Sequence, residues 1–573
     1  MLQTLTTPRG ETLSGTPWQV YPRPQMRRDS YINLNGEWDF AVSSGKPETF
    51  DMRILVPFCP ESRLSGIGRH FEEGAPLWYR RRFLLPEGFR RERVLLHIGA
   101  ADQIAEVFVN GQHLCRHEGG YAFFCVDITE ALAEENELVI CCIDDLHDQA
   151  FPYGKQVMNR GGMWYTPVSG IWQTVWLESV PGTYIENLNI ENHGASVMIS
   201  TVPPLEGTVS VEPLGQFPLE NGQVTIAPEN PHFWCPDDPY LYCFTVETAQ
   251  DKVESYFAIR SLEIKKVGGY PRLCLNGKPY FFHGLLDQGY WPEGLLTAPA
   301  PESYADDILA MKRLGFNTLR KHIKVEPEEF YYQCDRLGMI VWQDMVNNGS
   351  YSYFRDTVLP TIGIQKWNDR RLHLDERSRN TFRQGAADAV NQLKNHPCIC
   401  YWTIFNEGWG QFDSDRVCGW FRTLDATRFI DTTSGWFRGK NTDVDSRHQY
   451  FGKLRLEGDG LRPLVLSEFG GKTWRVEGHI FNPDKTYGYG ACPTREALNE
   501  AVAALYRESI VPAVEKGLCA AIYTQVSDVE DEVNGLITYD RRVVKLDADT
   551  MLPISRALQD AMEKTVASFE KMG

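Results

Sequence analysis

Three features of the sequence predict a multidomain chain: an N-terminal jelly-roll β-sandwich, an immunoglobulin-like β-sandwich and a C-terminal (β/α)8 barrel. The 573 residues are too many for one ordinary hydrophobic core, so several domains are expected. From Thr16 to Ile264 short alternating segments follow one another between turn residues. After Leu262 the period changes, and apolar strand-like runs alternate with helical ones, as in βα units.

The first sandwich is placed at 1–180. Val94–Ile98 and Ala105–Val109 read as strands, and Asn110-Gly111 after them is the best short hairpin signal in the domain. Ala122–Ile128, Glu137–Ile143 and Gln173–Glu178 continue the series. Asp144-Asp145-Leu146-His147-Asp148 reads as a solvated acidic loop rather than a metal cluster. The span 181–264, rich in proline and without evident chemistry, suits a small immunoglobulin-like spacer.

The barrel occupies 265–573. Its strands are expected at Pro279–Gly284, Phe316–His322, Met339–Asp344, Cys398–Phe405, Phe429–Thr433, Arg447–Tyr450, Pro463–Glu468 and Leu518–Gln525. Helices are expected at Ser303–Leu314, Pro327–Leu337, Asn380–Lys394, Asp415–Ala426 and Thr494–Lys516; Gly315, Gly338 and Gly517 close three of them. The aromatic and polar connection Asn347–Arg371 is longer than a compact fold usually needs, and such loops are commonly functional.

Composition narrows the function classes. A net charge of -18 argues against nucleic-acid and anionic-membrane partners. The 14 cysteines lie mostly inside apolar runs, with no zinc spacing, as expected of reduced thiols. The first residues, MLQTLTTPRGETLSG, hold no apolar run, and no apolar stretch is long enough to span a bilayer; a cytoplasmic location is the expectation. No strand-linked GxGxxG and no P-loop occur, so neither cofactor nor metal is expected, and homo-oligomerisation is left open.

Two carboxylates carry the chemistry. The fourth strand runs apolar until Asn406-Glu407, and the seventh ends at Glu468, each with glycine close behind. An acid closing a buried strand is either a strand-end residue in a salt bridge or a group of the barrel mouth, where residues from distant strands converge. Two carboxyl groups about 5 Å apart across a sugar perform retaining glycoside hydrolysis, one as nucleophile and one as acid. That chemistry needs environments which push their two pKa values apart.

Gly170-Ile171-Trp172-Gln173, Asn317-Thr318-Leu319-Arg320-Lys321-His322, Ile404-Phe405-Asn406-Glu407 and Ser467-Glu468-Phe469-Gly470, in this domain order, resemble glycoside hydrolase family 2. That group contains the β-galactosidases and β-glucuronidases. The resemblance implies an exo-acting retaining β-glycosidase of small β-glycosides or oligosaccharides, with Glu407 as acid/base and Glu468 as nucleophile. It implies further that Asn406 holds the sugar 2-hydroxyl and that Arg320 keeps the nucleophile ionised. His322, His448, Tyr450 and Tyr523, at or near strand ends, are candidate site-lining residues, and Trp409 and Trp436 are candidates for stacking on a sugar face.

Two departures bear on the sugar. Many relatives carry an Asp in the first domain shortly before the Gly-Ile motif; here Trp164 stands near that place. Glucuronidases carry an Asn-x-Lys pair after the eighth strand; here the segment reads Asp531-Glu532-Val533-Asn534-Gly535, without the lysine. Arg438 and Lys440, after the fifth strand, could hold a carboxylate instead, or be solvated loop residues. A β-galactosidase is the leading expectation, with a β-hexuronidase or a non-catalytic carbohydrate-binding protein as alternatives.

Overall fold

The computed structural model describes residues 2–361, 364, 368–437, 439–454 and 456–570. The first sandwich packs a four-stranded antiparallel sheet against a six-stranded one. Alternation along its strands supplies the core: along Ile104–Val109 every second side chain is buried, and Trp38, Phe40, Tyr79, Leu96, Val107 and Ile140 meet between the sheets. The hairpin at Asn110-Gly111 forms as expected. Val109 pairs with Gln112, and both turn residues take positive φ (49° and 82°), as a two-residue type I′ turn requires.

The acidic loop differs from its expectation at one residue. Asp144 is buried, not solvated. Burial raises its carboxyl well above the ordinary range, and Asp102, Glu73 and Glu61 push the same way.

The second sandwich packs a three-stranded sheet on a four-stranded one. Its end is built into the barrel floor. The Arg260 guanidinium, buried, donates to the carbonyls of Pro397 (2.6 Å) and Ile399 (2.7 Å), where the fourth barrel strand begins. The Tyr256 hydroxyl donates to Asp335 at 2.7 Å, and Asp335 accepts the Cys398 N–H at 2.7 Å. More than spacing is involved: this domain anchors the base of the strand that carries Glu407.

Eight parallel strands form the barrel: β1 (Phe282–Asp287), β2 (Thr318–Lys321), β3 (Ile340–Asp344), β4 (Ile399–Asn406), β5 (Phe429–Ser434), β6 (Asp445–Gln449), β7 (Leu464–Phe469) and β8 (Leu518–Tyr523). The ladder runs β5-β4-β3-β2-β1-β8-β7-β6. Between β5 and β6 side chains do much of the joining. The Asp443 carboxylate accepts the Ile430 N–H (2.8 Å), the Thr432 hydroxyl donates to the Asn441 carbonyl (2.6 Å), and Ser434 Oγ meets His448 Nε2 (3.1 Å).

Several elements depart from expectation: the helix expected over Asp415–Ala426 runs Ser414–Phe421, and that expected over Asn380–Lys394 runs Glu376–Leu393. β1 begins three residues later than Pro279, because Lys278–Pro279 pair back antiparallel on Tyr270–Leu275. The helix expected over Thr494–Lys516 runs Arg495–Leu505, opens into a wide turn at Tyr506–Ile510 and resumes at Val511–Val514. Pro512, which has no N–H to return, sits just beyond the wide turn. A last helix, Ala548–Glu570, follows the long segment after β8. Among the described residues no helix is long and apolar enough to cross a membrane.

Candidate active site

All eight residues of β4 are buried, as a strand covered on both faces must be, and the chain then turns sharply. Glu407 takes φ +51°, a left-handed conformation that side chains rarely adopt, while its N–H stays tied to the Ser434 carbonyl at 3.0 Å. Such a turn at the strand end holds the Glu407 carboxyl at the barrel mouth rather than along the sheet.

Arg320, on β2 and fully buried, organises the floor. Its Nε donates to Asp344 (3.0 Å), with which Nη2 makes an ion-pair contact (2.9 Å); Nη2 donates to Asn406 Oδ1 (2.8 Å), and Nη1 to the Ser467 carbonyl (3.0 Å) and to Glu468 Oε1 (3.0 Å), with His448 Nε2 at 3.3 Å. All three guanidinium nitrogens are thereby engaged. Because arginine only donates, Asn406 must turn its oxygen toward it. The Asn406 amide nitrogen, buried and without a hydrogen-bond partner among the described residues, is left facing the other way.

Glu468, closing β7, is buried. Burial raises its carboxyl, but His448 and Arg320 beside it outweigh that and bring it down to about 2, helped by the hydroxyl of Tyr450, which donates to its second oxygen. His448, on β6, stands between the two acids: Nδ1 lies 2.7 Å from Glu407 Oε1, and Nε2 lies 3.6 Å from Glu468 Oε1. One carboxylate oxygen of each glutamate and a ring nitrogen of His448 all lie within 4.8 Å of one another. The trio does not suit a cation, since the Arg320 guanidinium already stands among them.

His322 bonds Asp344 through Nδ1 at 2.6 Å. Burial lowers its pKa to about 4, with Lys155 adding to the effect, so the ring is neutral near pH 7. The wall beyond it is aromatic. Trp409 stacks on Trp164 (5.2 Å between centroids), Tyr351 meets Trp164 edge-on (4.9 Å), and Tyr450 stacks on Tyr489 (4.1 Å).

Of the residues singled out from sequence, Arg320, His322, Asn406, Glu407, His448, Tyr450 and Glu468 therefore meet in one cluster. Trp164 and Trp409 form its wall, and Trp436 turns an edge toward His448 (6.3 Å). Tyr523 lies behind this group: fully buried, its hydroxyl accepts the Lys472 N–H at 2.9 Å and its ring fills the space a Cβ on Gly470 would need. Lys440 is exposed, only its backbone being held, by Asp415 (2.7 Å). Arg438 lies outside the described residues.

Several neighbours escaped the sequence reading. Asp344 ends β3, so the strand-end rule that picked out Glu468 would also have found it. Tyr489 sits in Tyr487-Gly488-Tyr489, and Tyr351 in the long connection already suspected of function. Lys155 carried no signal at all.

Comparison with known proteins bears on the fold and the family. The family model "Glycosyl hydrolases family 2, TIM barrel domain" matches residues 267–455, and "Glycosyl hydrolase 2 galactose-binding domain-like" matches residues 70–158. The chain belongs to glycoside hydrolase family 2. Among curated family-2 relatives, a β-galactosidase of Thermoanaerobacter pseudethanolicus is 24% identical over 357 residues, covering 57% of this chain and 44% of that protein. A β-glucuronidase of Paenibacillus borealis is 24% identical over 461 residues, covering 72% and 73%. This chain thus spans less than half the length of the first of them. A β-glucuronidase structure from an uncultured Clostridium sp. superposes with TM-score 0.70 at 19% identity, covering 95% of this chain and all of that one.

In this family-2 chain the first sandwich reaches into the barrel mouth. Its segment around Trp164 docks on the loop after β8: Arg160 pairs with Asp531 (2.9 Å), the Tyr165 hydroxyl donates to Glu532 (2.5 Å), and the Thr166 N–H to Glu530 (3.0 Å). Asn534 is buried and held by Gln525 (2.9 Å) and Glu532 (3.0 Å).

Proposed function

We propose that this chain is an exo-acting retaining β-glycosidase that releases a terminal non-reducing β-linked sugar by double displacement. The observation carrying this reading is the approach of one Glu407 and one Glu468 oxygen to within 4.8 Å, a spacing suited to retaining rather than inverting hydrolysis. Glu468, kept ionised by Arg320 and Tyr450, attacks the anomeric carbon. The bond to the leaving oxygen breaks as that oxygen takes the proton of Glu407. A water then attacks the anomeric carbon, gives its proton back to Glu407 and frees Glu468. The unpartnered amide nitrogen of Asn406 suits the sugar 2-hydroxyl, a contact that strengthens toward the oxocarbenium-like transition state.

The sugar is proposed as a β-galactoside or a β-hexuronide, and one observation favours the second. Lys155 is buried, lies over the rings of Tyr165 (5.6 Å) and Trp409 (5.8 Å), and has no carboxylate within salt-bridge reach among the described residues. A buried ammonium without a counter-charge suits a substrate carboxylate. The acids after β8 are engaged by the first sandwich, which weakens the objection that they repel a uronate.

A panel of p-nitrophenyl β-glycosides, including galactoside, glucoside, glucuronide and galacturonide, tests both parts. Glu468→Gln is expected to lower turnover on the order of 10³-fold or more. Equal turnover in wild type and Glu468→Gln would leave a carbohydrate-binding role instead. Lys155→Met is expected to raise KM for uronides while sparing neutral glycosides; equal effects on both would return the choice to the galactoside.

A further inference from the structure

Three buried polar side chains lie near one another at the barrel mouth with nothing in the chain to bond. The Lys155 ammonium lies over the faces of Tyr165 (5.6 Å) and Trp409 (5.8 Å) and pairs with no carboxylate among the described residues. The Trp409 indole N–H and both polar atoms of the Gln288 amide are buried and have no hydrogen-bond partner there either. A hydrogen bond left unmade inside a protein is costly, and more so at a charge, so three such groups side by side need an explanation.

The pleat of the barrel puts Gln288 on its inner side, because side chains alternate along a strand. Lys321 and Asp287 pair with each other at 2.6 Å, and the Lys321 ammonium lies 4.2 Å from the centre of the Phe330 ring on the helix Glu328–Leu337, so this pair faces outward. Their neighbours face the axis: Arg320 reaches Glu468 on β7, and His322 reaches Asp344 on β3. The His322 N–H donates to the Asp287 carbonyl (2.9 Å), which continues the β1–β2 ladder and sets Gln288 beside His322. The Trp409 ring is 6.1 Å from that of His322. Two residues beyond Gln288, Tyr290 packs on Tyr165 (4.9 Å between centroids), the same ring that underlies Lys155. The segment carrying Lys155 is fixed on the barrel, since the Tyr153 N–H donates to the Asn347 carbonyl (3.0 Å). The three groups thus gather around His322.

We propose that Lys155, the Trp409 indole N–H and Gln288 form the pocket for the C5 carboxylate of a β-hexuronide, with Gln288 and Trp409 as specificity residues. A carboxylate only accepts, and here it meets three donors: the ammonium, the indole N–H and the amide N–H of Gln288. The ammonium supplies the single counter-charge. Gln288 Oε1 is left to accept a sugar hydroxyl. A neutral hexoside brings a CH2OH group to the same place, which leaves the Lys155 charge unanswered. The grip draws on the first sandwich and on the ends of β1 and β4, not on the loop after β8, which lacks the lysine of an Asn-x-Lys pair. This rests on the hydrolase reading and on its hexuronide branch.

The test is kcat/KM on p-nitrophenyl β-glucuronide, β-galacturonide, β-glucoside and β-galactoside, each uronide being compared with the hexoside of the same C4 configuration. Wild type is set beside Trp409→Phe, which keeps an aromatic face but loses the N–H, and beside Gln288→Leu and Gln288→Glu. The uronide-to-hexoside ratio is expected to fall on the order of 10-fold in Trp409→Phe and in Gln288→Leu, the scale of one hydrogen bond to a charge. In Gln288→Glu, which sets one carboxylate against another, it is expected to fall about 10²-fold. Equal losses on uronides and hexosides would show that these side chains only shape the mouth, and would overturn the proposal; so would ratios unmoved in all three. If Gln288→Glu does not fold, the other two variants decide. A wild type that turns over hexosides but no uronide overturns the hexuronide branch and this inference while leaving the hydrolase reading, and turnover of neither overturns all three. Uronide turnover with unmoved ratios overturns the inference alone.

Discussion

At the scale of single residues, Arg320 engages all three of its nitrogens: Nε and Nη2 face Asp344, Nη2 donates to Asn406, and Nη1 donates to the Ser467 carbonyl and the carboxyl of Glu468. A lysine has three donors on a point charge and cannot reproduce that fork, so Arg320→Lys is not a conservative change here. Tyr450 acts on the other oxygen of Glu468. A donor to a carboxylate favours its charged form, so removing it raises the pKa. Tyr450→Phe is therefore expected to move the acidic limb of the kcat/KM profile upward and to lower kcat by about 10²-fold, the scale of losing one preorganised donor. An acidic limb that stays in place in a pH–rate titration would mean that Tyr450 contributes packing only. The two glutamates were legible because they end apolar strands where charge is costly, and Arg320 through the resemblance of its strand to the family. Lys155 was not, because nothing local distinguishes a lysine that will be buried by another domain.

At the scale of elements, the barrel was readable strand by strand, since continuous burial gives apolar runs such as Cys398–Phe405 with glycines marking helix ends. The misses have physical causes. β1 was placed early because Pro279-Tyr280-Phe281 is as apolar as the strand after it, and only pairing with Tyr270–Leu275 separates them. The short β6, expected at Arg447–Tyr450, forms at Asp445–Gln449, and its junction with β5 is made in large part by side chains of Thr432, Ser434 and Asp443. Gly435 lies at this junction with φ +95°, and a Cβ there would come within 2.6 Å of the His448 ring. Gly435→Ala would have to displace that ring and also strain the backbone. Its expected result is a loss of turnover with the fold kept, checked by kinetics beside a circular-dichroism melt. Turnover like that of wild type would show that the turn can shift without moving the ring.

At the scale of the whole molecule, the site is not complete within the barrel. Trp164 and Lys155 come from the first sandwich, more than a hundred residues before β2, and are held over the mouth by contacts with the loop after β8. Sequence order hides such a partnership, and the acidic run Glu530-Asp531-Glu532, read alone, suggests repulsion of an anionic sugar; in the fold these acids are the docking points for Thr166, Arg160 and Tyr165. Glu532 is buried, so the Tyr165 hydroxyl is a costly donor to lose: Tyr165→Phe leaves it with the Asn534 amide, at a cost of about 1–3 kcal/mol. That cost falls on the loop carrying Trp164, while Glu407, His448, Arg320 and Glu468 keep every bond they have. If the first sandwich serves to shape the sugar pocket, Tyr165→Phe should raise KM several-fold with kcat nearly unchanged. A fall in kcat with KM constant would instead tie this docking to the placement of the catalytic pair, and steady-state kinetics on one aryl glycoside separate the two.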